Sequence, residues 1–458
     1  MDIDTETPTL IDTDSDFSLV FPLPYRCLLL VGIGILGWAT NLQGLYFLGV
    51  DTSYALDIRR SLSLDNGYES LSASGVTSGS RLGRGSNNFA HPSTLYKPIY
   101  KLFASYGAFV LTSWLLFRLL SAGSKEDIDS SKFIPSLTIL IILITLLWPW
   151  SFAQKHERYT FLRATLRCLT PSFSQKIHFS DVILADIFTS FAKVFGDFWL
   201  ALRILSSSGH LWQLPPETGA SQWITPCLMS LPYAIRFRQC ISEYMTTKSS
   251  KPLYNAAKYA TAFPVIFLSA AQRLVPDSKL PHGEHPLFRI WALSVFINSV
   301  YSFWWDVVND WGLTLLKPSS SSTKRRRSMP PASVDGSGAR LPKPASPITD
   351  SDPDANQYAG LRSQLLFQDP IIYYVAIFVN FILRFTWSLK LSSHLHHVAD
   401  LEVGVFLVEA LEILRRWIWV FIRVEWEILK LGREAENEDE YEFLMRENGE
   451  TDVSDLSM

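Results

Sequence analysis

Three stretches of this 458-residue chain, Leu28–Val50, Leu102–Leu120 and Phe133–Trp150, contain almost no ionisable group. A helix of about 20 apolar residues crosses the hydrocarbon core of a bilayer. Inside that core every backbone N–H and C=O must be satisfied within the segment, which leaves helices or closed barrels as the only spanning structures. Runs of this length select helices. The composition agrees, with 48% hydrophobic and 19% charged residues, where an average soluble chain carries about 25% charge. These features exclude an ordinary soluble domain and predict an all-α integral membrane protein.

The first run follows an acidic leader (Asp2, Asp4, Glu6, Asp12, Asp14, Asp16), whereas a cleaved signal peptide begins with positive charge. It therefore reads as a retained helix. Cys27, Cys168, Cys227 and Cys240 show no metal or redox spacing and read as reduced and structural. The net charge of −3 selects no class of partner.

Less apolar segments at Val182–Leu205, Trp223–Ser242, Ala256–Leu274, Leu287–Val308, Pro370–Leu391 and Val403–Phe421 bring the expected number of spans to about nine. Lys and Arg favour cytosolic loops. They concentrate after the third span (Lys155, Arg158, Arg163, Arg167, Lys176), after the seventh (Lys324, Arg325, Arg326, Arg327) and in the tail (Lys430, Arg433), and are missing from 206–222 and 392–401. The predicted fold is a polytopic transmembrane helical bundle with a luminal N-terminus and a cytosolic C-terminus. Its expected organisation is a leader at 1–26, a three-span, lipid-facing scaffold at 27–150, a membrane domain at 151–430 and an acidic tail at 431–458. Ser61–Asn88 and Pro318–Asp354, rich in Ser with Gly or Pro, read as disordered, the second as a cytosolic insertion. "TKRRRSMP" within it suits an ordinary positive-inside loop, anionic lipid or phosphorylation.

Ionisable residues inside spans are costly and tend to face a bundle interior or a pathway. Here they fall into stripes. Asp186, Ser190, Lys193 and Asp197 are spaced four, three and four apart, so they share a helical face. Ser302, Asp306 and Asp310 form a second stripe flanked by Asn298 and Asn309, and Asn380, Arg384 and Trp387 a third. Glu402, Glu409, Glu412, Arg416 and Arg423 form a fourth, with Arg415 beside it. Duller readings stand beside each: Glu412 with Arg416 suits a simple pair four residues apart, Asp306 and Asp310 suit a helix end, and Lys193 and Lys258 suit snorkelling. An interior holding Arg384, Arg415 and Arg416 suits an oxyanion, because guanidinium groups present forked donors to phosphate or carboxylate oxygens.

No zincin, nucleophile-elbow, phosphate-loop or metal-cluster motif occurs, so no enzyme and no cofactor is expected, and nothing points to nucleic acid. His394, His396 and His397 lie close together without an acid-rich partner motif.

Six segments carry a family resemblance: "FSDVILADIFTS", "LPYAIRFRQC", "NAAKYA", "WWDVVNDWGL", "ILRFTW" and "LEILRRWIWVFIRVEWE", in this order over roughly 150–430. The chain resembles the EXS-domain family, found in eukaryotic phosphate exporters such as the xenotropic retrovirus receptor and in a fungal Golgi protein needed to retain ER residents. The resemblance implies an anion path lined by Asp197, Lys258, Asp306, Asp310, Arg384, Glu412, Arg415 and Arg416, with Trp387 as gate. Lys248 falls near a further basic position of the family, across a gap. The exporters carry an SPX domain before their membrane part. About 26 residues precede the first span here, so the resemblance is to the fungal Golgi type and regulation through an SPX domain is not expected.

The function so implied is inorganic phosphate transport from lumen to cytosol across a Golgi (or ER) membrane, supporting glycosylation and ER protein retention. Glycosyl transfer from nucleotide sugars leaves phosphate in the lumen, which gives recycling a rationale. The rival is a non-transporting adaptor that sorts glycosyltransferases into coated retrograde vesicles through its cytosolic segments.

Overall fold

The computed structural model describes residues 17–50, 52, 56, 93–121, 125–170, 177–206, 210–211, 219, 221–274, 286–316, 358–362, 364–367, 369–386 and 402–454. Of these, 84% are α-helical and none is in a strand. Chain order gives α1 (Leu23–Phe47), α2 (Ser93–Leu120), α3 (Lys125–Ser130), α4 (Phe133–Leu147), α5 (Lys155–Leu169) and α6 (Phe179–Ser190). Then come α7 (Ala192–Ser206), α8 (Ser221–Thr247), α9 (Ser250–Ala260), α10 (Ala262–Leu274), α11 (Pro286–Trp305), α12 (Ile371–Arg384) and α13 (Glu402–Ser454). Asp306–Asp310 continues α11 as a π turn.

Among the described residues, four helical stretches are long and apolar enough to cross a bilayer: Leu23–Phe47, Leu95–Leu120, Asp127–Leu147 and Leu287–Asp310. Ile371–Arg384 is apolar but shorter. Two segments expected as single spans are broken. Val182–Leu205 divides at Phe191 and Ala256–Leu274 at Thr261. At the first break the Thr189 hydroxyl bonds back to the Asp186 carbonyl at 2.7 Å, a local competition that bends helices. At the second, Thr261 does the same to Lys258 at 2.7 Å. Pro264 there also lacks the N–H that the Ala260 carbonyl would otherwise accept. The basic connection after α4 holds a further helix, α5. Arg158 on it is buried and donates to the carbonyls of Thr145, Leu146 (3.1 Å), Trp148 (3.1 Å), Trp150 (3.3 Å), Phe152 (2.6 Å) and Ala153 (2.8 Å). One guanidinium thereby satisfies the carbonyls that the end of α4 leaves without intrahelical donors.

α1 does not face outward as an outer scaffold helix would. It packs against α2, α7 and α13. Along α1 and α13, Arg26 meets Glu402 and Thr40 meets Trp417. Gly44 lies so close to Phe421 that an added Cβ would sit 2.7 Å from the ring. Residue numbers rise together, so the two helices run parallel. One core cluster joins the end of α1 at Leu45 to Trp311, Tyr373 and Trp419. A second joins its start at Tyr25 to Phe117, Ile139, Ala201 and Ile413. α2 and α4, by contrast, turn Leu111, Leu119, Leu143 and Leu147 outward.

Candidate functional site

The site is assembled where α6, α7, α8, α9, α11, α12 and α13 meet. The π turn at the end of α11 carries one residue more per turn than an α-helix, and its closing bond runs from Trp311 N to the Asp306 carbonyl at 2.9 Å. Asp306, 1% exposed, accepts from Arg384 at 2.7 Å and from the Asn380 amide at 3.3 Å. Arg415 approaches the same oxygen at 3.5 Å. The other Asp306 oxygen, Oδ1, and the Arg384 Nε are buried with no hydrogen-bond partner.

Arg415, 2% exposed, is held by both oxygens of Glu412, at 2.9 and 2.5 Å, and also donates to the Asn380 carbonyl oxygen at 3.3 Å. Its neighbour behaves differently. Arg416 donates through Nε to the Ser190 hydroxyl and through Nη2 to the Thr189 hydroxyl, each at 3.0 Å, and stacks 4.5 Å from the Trp419 ring centroid. Among the described residues it makes no ion pair, although it is only 7% exposed. The simple Glu412–Arg416 pair is therefore not formed; Glu412 turns to Arg415 and takes a hydrogen bond from Ser190 at 3.0 Å. Within this cluster Arg384, Arg415 and Arg416 face Asp306 and Glu412: three cations to two anions, leaving one positive charge in surplus. A buried guanidinium without a carboxylate is costly unless an anion completes it.

Lys258 lies on the far side of the π turn. It is buried, pairs with Asp310 at 3.4 Å and sits over the Tyr259 and Trp305 rings at 4.5 and 5.7 Å. It does not reach outward to a membrane surface. Trp305 Nε1 donates to Asp310 at 3.2 Å, which fixes the carboxylate. Asp197 stands apart, on α7, in contact with Lys193 rather than with the arginines. Trp387, the expected gate, and His394, His396 and His397 lie outside the described residues. Lys248, the residue after α8, adopts a left-handed conformation (φ 56°) and is exposed.

Three ion pairs escape a reading by stripes. Arg236 on α8 donates to Asp186 at 2.9 Å, and the Tyr259 hydroxyl donates to the same oxygen at 2.6 Å. Arg362 and Glu425 form a buried pair at 2.5 Å beneath Trp311, and Arg26 binds Glu402 at 2.5 Å. Arg236 had a usable signal, since an arginine within an apolar segment demands a partner. Arg362 did not, because its surroundings in sequence are those of a loop. No group of three or more His, Cys, Asp or Glu suited to a metal occurs among the described residues.

The EXS family profile matches residues 21–429. The chain is 28% identical over 417 residues to "Protein ERD1 homolog 2" of Schizosaccharomyces pombe, covering 88% of this chain and 95% of that protein. It is 31% identical over 342 residues to "Protein ERD1 homolog 1" of the same yeast, covering 73% and 78%. Against human "Solute carrier family 53 member 1" it is 27% identical over 286 residues, 59% of this chain but 35% of that protein. An all-helical membrane architecture and a match spanning nearly its whole length place the chain in one family: it is a member of the EXS family.

Proposed function

We propose that this protein moves inorganic phosphate from the lumen to the cytosol of a Golgi membrane. The observation that carries the reading is the surplus cation at the centre of the bundle, with Arg416 resting on hydroxyls instead of a carboxylate. Phosphate presents several acceptor oxygens and about −1.5 to −2 charges near pH 7, by analogy with phosphoryl groups. Arg416 Nη1 and Arg384 Nε are the donors that would replace part of its hydration, while Asp306 and Glu412 hold Arg384 and Arg415 in register. Ser190 and Thr189 already serve Arg416 and so fix the orientation of its fork. Sites that conduct bind weakly enough to release, and a net surplus of one charge, rather than three, is consistent with that need.

The parallel course of α1 and α13 supports an odd number of crossings. In this reading α6 with α7, and α9 with α10, each make one broken crossing, which gives nine in all. The Arg26–Glu402 end faces the lumen and the Arg362–Glu425 end the cytosol. Broken helices suit a pathway, because irregular backbone at membrane depth is tolerated where it lines a cavity. The Golgi assignment and the link to glycosylation rest on family resemblance.

Radiolabelled phosphate flux in proteoliposomes, comparing wild type with Arg384→Ala and Arg416→Ala, tests the proposal. Flux that falls at least tenfold in both variants supports it. Flux that is absent from the wild type, or indifferent to both changes, favours a non-transporting sorting adaptor.

A further inference from the structure

About two helical turns from the arginines, the charge balance reverses. Glu409 on α13 and Asp197 on α7 share a single cation, Lys193. Asp197 faces Glu409 directly. Lys193 Nζ contacts Asp197 Oδ1 closely and stands 3.6 Å from Glu409 Oε1. Glu409 is 7% exposed, and its Oε1 has no hydrogen-bond partner. Among the described residues no second cation pairs with it. From α1, Cys27 faces the cluster and Arg26 lies beyond it, committed to Glu402 at 2.5 Å. Along α13, Glu412 is committed to Arg415. On α6, Asp186 is committed to Arg236. α4 contributes no ionisable side chain. Two carboxylates against one ammonium leave one negative charge uncompensated, and a buried carboxylate oxygen without a donor.

We propose that the Asp197–Glu409 pair binds one proton and that this proton is coupled to the oxyanion at the arginine cluster. A metal cation fits poorly, because the Lys193 ammonium already occupies the approach to both carboxylates; a proton needs no coordination shell. Lys193 is 37% exposed, so the pair is not sealed inside the protein. Glu409, Glu412 and Arg416 are three and four residues apart on one face of α13, so the pair sits roughly 10 Å along the helix from Arg416. A unit negative charge at that distance, at an effective dielectric constant of about 20, weakens binding of a univalent anion on the order of tenfold. Protonation removes that repulsion. By reciprocity, phosphate held at Arg416 strengthens proton binding by the same factor. The inference rests on the phosphate reading for its coupling half and on the geometry of the pair alone for its proton half.

Two measurements on the purified full-length protein test it. Equilibrium binding of radiolabelled inorganic phosphate is followed from neutral to acidic pH for wild type, Glu409→Gln and Asp197→Asn. The wild type is expected to bind on the order of tenfold more tightly at acid pH. Glu409→Gln, which fixes the neutral form, is expected to bind tightly at both, apart from the change due to phosphate's own ionisation. Infrared difference spectra on acidification are expected to show a carboxylic-acid carbonyl band in the wild type that is missing from Glu409→Gln. Identical pH profiles in wild type and both variants would overturn the coupling. An infrared band unaltered by Glu409→Gln and by Asp197→Asn would overturn the proton site. A wild type that binds no phosphate at any pH sinks the transport reading and the coupling together, while the infrared result still decides the proton site.

Discussion

Replacing Arg236 with methionine strands the Asp186 carboxylate. Both side chains are nearly closed to solvent, at 4% exposure each. In the native protein Asp186 Oδ1 accepts from Arg236 at 2.9 Å and from Tyr259 at 2.6 Å, and the guanidinium lies 5.0 Å from the Tyr259 ring centroid. Arg236→Met removes the only cation that, among the described residues, pairs with Asp186, while keeping most of the apolar volume. Removing one partner of a buried pair costs about 3–5 kcal/mol, because the other charge is left uncompensated. The double variant Asp186→Asn/Arg236→Met removes both charges. What remains is the unpaired carbonyl of Gln239, which Arg236 served at 2.5 Å, and an amide beside Tyr259, together about 1–2 kcal/mol. The double variant is therefore expected to be more stable than Arg236→Met by roughly 2–3 kcal/mol, in spite of carrying one more change. The assay is thermal inactivation of the detergent-solubilised protein followed by size-exclusion chromatography, read as a rate because such unfolding is irreversible. Equal half-lives for the single and double variants, or an additive loss, would refute the reasoning.

Other substitutions probe the frame around the site. Gly312 adopts φ +66° with the Trp426 ring where a Cβ would go, 2.5 Å from Cε2. Gly312→Ala is expected to lose about 1–2 kcal/mol from the left-handed backbone alone, with more from displacement of Trp426; an unchanged half-life would contradict it. Arg158→Lys is expected to destabilise nearly as much as Arg158→Ala, because one ammonium cannot reach the carbonyls that the guanidinium serves; recovery by lysine would mean that charge alone matters. Lys258→Met is expected to leave Asp310 unpaired and to reduce both stability and phosphate flux, whereas Lys258→Met/Asp310→Asn restores stability and leaves flux low. Restoration of flux in that double variant would remove Lys258 from the path.

The helices were legible in the sequence where apolar length alone decides them, as in Leu28–Val50 or Phe133–Trp150. The shared faces of Asp186 with Ser190 and of Glu409 with Glu412 and Arg416 were legible too, because helical periodicity is local; Asp306 and Asp310, expected on one stripe, turn to different partners, Arg384 and Lys258. Partner choice was not. Spacing four residues apart pointed Glu412 at Arg416, whereas Arg415 takes both its oxygens and Arg416 turns to α6. That outcome depends on where α6 lies, which no window of α13 encodes. The division at Thr261 had a visible cause in Pro264. The division at Phe191 had none as strong, since it arises where Thr189 and Ser190 serve Arg416 from another part of the chain. The π turn at Asp306–Asp310 was likewise invisible, because its five residues read equally well as an α-helix.

Binding of radiolabelled inorganic phosphate to the purified protein, compared between wild type, Arg416→Lys and Arg416→Ala, asks whether a buried guanidinium with only hydroxyl partners is a seat for an oxyanion. Saturable binding that weakens with lysine and disappears with alanine, competed by arsenate but not by chloride, is the predicted result. Undiminished binding in Arg416→Ala would contradict it.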